Sequence, residues 1–78
     1  MNQAEAIADD AEARARYELS HRGGGSTYVR SSKTRFLLLR FGYRMGGRWV
    51  WQKRNGKDIS RDEAIAIIAR DRGIEIVL

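Results

Sequence analysis

Hydrophobic positions follow two different periods along the chain. Between residues 2 and 22 alanine recurs at positions 4, 6, 8, 11, 13 and 15, with Ile7, Tyr17 and Leu19 as the large apolar or aromatic side chains. So much alanine favours a helix. Asn2 suits its N-cap, and Glu5 stands where the partner in a capping box belongs. Acids crowd the first half, whereas Arg14, Arg16, His21 and Arg22 come later, an order that complements the helix dipole. Asp10–Arg14 and Glu12–Arg16 have i,i+4 spacing. The pattern predicts a helix over 3–20 that stops at Gly23-Gly24-Gly25. Its narrow apolar face predicts loose attachment to the rest of the chain.

Beyond Gly25 the period becomes two, which is the signature of strands. Ser26–Arg30 reads as a short strand, Ser31-Ser32-Lys33 as a turn and Thr34–Arg44 as a long strand. Met45-Gly46-Gly47 is a second turn, and Arg48–Arg54 a third strand. Asn55-Gly56 is a strong hairpin signal that turns the chain into a short Lys57–Ile59 segment. Ser60-Arg61-Asp62-Glu63 forms a capping box and opens a helix through about Arg72, with Ala64, Ile65 and Ile68 inward and Gly73 at its end. Ile74–Leu78 reads as a final strand. The expected fold is a single small α+β domain of order α-β-β-β-α-β. Its antiparallel sheet of three to four strands packs on the C-terminal helix. Residues 1–22 form the alanine-rich helix, and residues 26–78 the basic sheet core.

Alternation along the strands sorts their side chains. Leu37, Leu39, Phe41, Trp49 and Trp51 fall on the face toward the second helix. Arg40, Arg44, Arg48, Gln52 and Arg54 fall opposite, interrupted by Phe36, Leu38 and Val50. Apolar residues on both faces call for two covers. The first helix could supply a thin one, or a homodimer could form through Phe36 and Leu38.

Charge sharpens this division. The 78 residues carry 15 Lys and Arg against 10 Asp and Glu, a formal net charge of +5. Residues 1–18 sum to −3 and residues 58–78 to −2, whereas residues 19–57 hold ten bases and no acid. These are Arg22, Arg30, Lys33, Arg35, Arg40, Arg44, Arg48, Lys53, Arg54 and Lys57. Such a block is the electrostatic footprint of a polyanion partner. The plainer reading is a solvated surface with its counter-charges on the helices. Twelve of the fifteen bases are arginine, the side chain suited to bidentate phosphate contacts. Aromatics on a basic sheet can stack unpaired bases, and Tyr28 and Tyr43 lie near strand ends. Trp49 and Trp51 are needed for the core of so small a domain. The candidate contact residues are therefore Arg30, Lys33, Arg40, Arg44, Arg48, Lys53, Arg54 and Lys57, with Tyr28 and Tyr43.

Other chemistry is sparse. There is no cysteine, hence no disulfide, thiolate zinc site or Cys nucleophile, and a cytoplasmic setting is expected. No apolar run approaches a membrane span, and the acidic N-terminus is unlike a signal peptide. With His21 as the one histidine, neither a metal site nor a cofactor is expected. His21 reads as a helix-end residue. Gly23-Gly24-Gly25-Ser26-Thr27 could cradle a phosphate. It lacks the spacing of a nucleotide-binding fingerprint and reads as a joint. The expected function is a small non-catalytic nucleic-acid-binding protein using the basic sheet face. A second reading is a phage or mobile-element inhibitor of the anti-CRISPR type, docking on a host nucleoprotein through that face. A third is a small ribonuclease toxin with His21 beside the scissile phosphate.

The order β-β-β-α over Ser26–Arg72 resembles the three-stranded, helix-backed DNA-binding modules of phage integrase arms. With the leading helix it resembles a double-stranded-RNA-binding domain. Both likenesses imply nucleic-acid binding, and both rest on element order alone. Where the RNA-binding domain carries a lysine cluster, this chain has Ser60-Arg61-Asp62-Glu63, which counts against RNA binding of that kind.

Overall fold

The computed structural model describes residues 2–74. Asn2 accepts a hydrogen bond from the Glu5 amide at 2.8 Å and starts helix α1, Gln3–Arg22, which Gly23 ends with a left-handed φ of 76°. Four strands follow: β1 Ser26–Arg30, β2 Leu37–Arg44, β3 Arg48–Lys53 and β4 Asp58–Ile59. They form one antiparallel meander in the order β1-β2-β3-β4. Ser60 caps helix α2, Arg61–Arg72, by accepting from the Glu63 amide at 3.1 Å. The short segment after Asn55-Gly56 is a true strand, paired through Trp51–Ile59 and Gln52–Asp58. The small α+β domain is thus as expected, with the order α-β-β-β-β-α among the described residues. The final strand expected over Ile74–Leu78 lies outside them, apart from Ile74, which is not in a strand.

Both helices pack on one face of the sheet. Val29, Leu39, Phe41 and Trp51 point into a single core with Ala64, Ile65, Ile68 and Ala69 of α2. Helix α1 joins that core through Ala4, Ala8, Ala11 and Ala15, each 0–4% exposed. The loose attachment expected of α1 is therefore corrected. A stripe of methyl groups lets the helix axis approach closely, so close fit replaces bulk as the source of contact.

A second correction concerns Leu38. The register shifts between Val29, opposite Leu39, and Arg30, opposite Leu37, so Leu38 has no partner on β1. This β-bulge breaks the alternation. Leu38 consequently packs against the core rather than on the basic face, while Phe36 stays 64% exposed. Strand β2 begins at Leu37 instead of Thr34 because residues 31–36 form a hydrogen-bonded loop. In it, the Ser31 hydroxyl accepts from the amides of Lys33 and Thr34.

Three acids of the helices tie elements together. Glu12, expected to pair with Arg16, instead accepts from the Trp51 indole N–H at 3.1 Å and from Arg61 Nε at 3.1 Å. A buried indole N–H needs an acceptor, and that need outweighs a surface i,i+4 pair. Asp9 completes the clamp on Arg61. Released from Glu12, the Arg16 guanidinium lies over Phe41 and Trp49, 5.6 and 5.2 Å from the ring centroids. Asp71 of α2 accepts from the Ser31 hydroxyl at 2.7 Å, the Ser32 amide at 2.9 Å and Arg72 at 2.7 Å. These hydrogen bonds hold its carboxyl at a pKa of about 2, with the Ser32 amide the largest cause.

Candidate nucleic-acid interface

The face of the sheet opposite the helices is open. By the strand registers it carries Ser26, Tyr28 and Arg30 of β1, Leu37, Arg40, Gly42 and Arg44 of β2, and Arg48, Val50 and Gln52 of β3, so the bulge places Leu37, expected toward the second helix, opposite Arg30 instead. Asp58 of β4 borders it. Arg54 follows Lys53 at the end of β3.

A polar chain crosses all four strands at its centre. Arg40 donates from Nη1 to Gln52 Oε1 at 2.9 Å and from Nη2 to Ser26 Oγ at 2.8 Å. Gln52 in turn donates from Nε2 to Asp58 Oδ1 at 2.8 Å and to the Gly56 carbonyl at 3.1 Å. Gln52 is the one buried polar side chain among the described residues, 4% exposed, and its three hydrogen bonds account for that burial. Gly42 makes the arrangement possible. A Cβ there would stand 3.2 Å from Arg40 Cζ and 3.1 Å from Ser26 Oγ. With glycine in place, the guanidinium lies down over the backbone and bridges the two neighbouring strands.

The remaining cations gather at the two ends of this face. Arg44 and Arg48 stand directly opposite each other beside the β2–β3 turn, both exposed. At the other end stand the loop 31–36, with Lys33 and Arg35, and the β3–β4 turn, with Arg54 and Lys57. Arg54 there lies over the Phe36 ring at 5.6 Å. Among the described residues, no ion pair joins any acid to Arg30, Lys33, Arg35, Arg40, Arg44, Arg48, Lys53, Arg54 or Lys57. Of the ten bases in the central block, Arg22 is the one paired with an acid among the described residues, Glu18 of its own helix at 3.9 Å.

Two of the candidate contact residues lie elsewhere. Lys53 pairs with Leu39 on the helix side, where it lines a groove with Leu38, Arg54, Asn55 and Ile67. Tyr43 also turns to the helix side and meets Trp49 edge-on, with centroids 5.1 Å apart. Trp49 in turn stacks on Phe41 at 5.3 Å, and Trp51 is buried, so both tryptophans serve the core. Tyr28, 56% exposed and opposite Arg40, is the aromatic that belongs to the open face. His21 stacks on Tyr17 at 4.0 Å, with Nδ1 3.0 Å from the Tyr17 carbonyl oxygen. The glycine joint borders a depression of about 530 Å³ that Glu18 also lines, an acid ill placed for a phosphate. Among the described residues, no group of three His, Asp or Glu side chains could hold a metal ion. Nor is any of their helices long and apolar enough to cross a membrane.

Sequence reasoning missed Ser26, Gly42 and Asp58 as parts of the site. Their one signal was polar or small character at alternate strand positions. Comparison with family models, with curated proteins and with solved structures returned no match.

Proposed function

We propose that the protein is a non-catalytic nucleic-acid-binding protein that lays the open face of its sheet against the phosphate backbone. The observation that supports this reading most is the set of arginines on and around that face without acidic partners among the described residues. Arg44 and Arg48 are the strongest instance. Like charges directly opposite in a sheet destabilise it, and a polyanion offsets that cost.

Titration of labelled duplex and single-stranded oligonucleotides over a range of salt concentrations tests the proposal. Neutralising about five phosphates, through Arg30, Arg44, Arg48, Arg54 and Lys57, gives a slope of log K against log salt near −4.5 on duplex and near −3.5 on a single strand. Failure to bind any DNA or RNA at low salt overturns it. Docking on a host nucleoprotein through the same face is the second reading, favoured by large apolar side chains exposed at opposite ends of the sheet, Phe36 and Met45. A complex from host lysate that survives nuclease would select it.

A further inference from the structure

We propose that the open face takes a single polynucleotide strand, with one unpaired base stacked on the Arg40 guanidinium beside Tyr28. This inference rests on the nucleic-acid reading above and names the form of nucleic acid that the face fits.

Relief across the sheet supports it. At the centre of the face the side chains are short or held down: Gly42, Ser26, and Arg40 itself, half-buried and tied to β1 and β3. A duplex read from its major groove needs side chains that reach base edges, in a groove about 8.5 Å deep. Arg40 is the central cation of this face, and its hydrogen bonds direct it along the sheet instead of outward. A guanidinium spread between flanking strands turns a planar face to solvent. Unpaired bases stack on such planes and on tyrosine rings. Tyr28, directly opposite Arg40 on β1, widens the platform.

Charge placement agrees. Arg44 and Arg48 stand at one end of the platform, and Arg54 and Lys57 at the other, separated by β2 with its eight residues. That length is roughly 24 Å of extended chain. A strand running along β2 would meet cations at both ends and the stacking site between them. Asp58 and Gln52 hold the platform in place through Arg40, so both are positioning residues.

The experiment compares two substitutions on the full chain. Arg40→Lys keeps the charge and loses the plane, and Tyr28→Ala removes an exposed ring. Each is titrated against the same sequence as single-stranded DNA, single-stranded RNA and DNA duplex over a series of salt concentrations starting from low salt, with thermal melting as the folding control. The expected result is tighter binding of at least one single strand than of duplex. Each substitution should weaken that binding at least about fivefold while leaving the salt slope unchanged, because a stacking contact neutralises no phosphate. Tighter binding to duplex, or undiminished single-strand binding by folded Tyr28→Ala and Arg40→Lys, overturns this inference and leaves the nucleic-acid reading standing. Absence of binding to all three probes overturns both.

Discussion

Asp71 shows how one side chain can anchor a loop. It takes hydrogen bonds from Ser31, Ser32 and Arg72, and its pKa falls from an ordinary 3.8 to about 2. A carboxyl whose pKa is lower in the folded state stabilises the fold above its unfolded value. That contribution is lost as the pH falls from about 4 through 2. Asp71→Asn should therefore lower stability at pH 7, by on the order of 1 kcal/mol after solvent screening. The gap from wild type should close near pH 2. Urea midpoints at both pH values check this, and a gap independent of pH would dismiss the ionised clamp. The sequence identifies Asp71 only as an acid late in a helix. Its serine partners are some forty residues away, so no local pattern marks it.

Element by element, the local signals held where the deciding chemistry was local. Caps at Asn2 and Ser60, left-handed glycines at 23 and 73 and the Asn55-Gly56 turn all place boundaries as expected, because each depends on a few neighbouring residues. Helix α1 is the exception. Its weak apolar face suggested loose attachment, yet its alanine stripe is buried in the core. Ala8→Leu should therefore overpack the interface with the sheet and α2, costing about 1–3 kcal/mol. Ala13→Leu, on an exposed position of the same helix, should cost almost nothing. Chemical denaturation of the two variants measures the difference. Equal stability would mean that α1 is not part of the core. The bulge at Leu38 was equally hidden, since a run of three leucines reads the same with or without an extra residue.

Across the whole molecule, charge and packing are divided between the two sides of one sheet. Glu12, Asp9 and Asp71 are spent on contacts between elements, which leaves the cations of the open face and its ends without acidic partners among the described residues. Arg44 facing Arg48 makes stability and binding pull in opposite directions. Arg44→Thr should raise stability by about 0.2–1 kcal/mol through relief of like-charge repulsion. It should also weaken oligonucleotide binding and reduce the salt slope by about 0.9 on duplex. A Tm that falls together with affinity would contradict that division. The sequence by itself determined the two helices, the strands between them, the acid-free basic block and the alternation that separates most arginines from core residues. These follow from the backbone period and from capping over short spans. Tertiary structure alone decided that both helices share one face, that a bulge turns Leu38 toward the core, and that Arg40 lies flat between Ser26 and Gln52 over Gly42. Each of those depends on which distant residue occupies the neighbouring strand, and register across a sheet is set by the packing of the whole core.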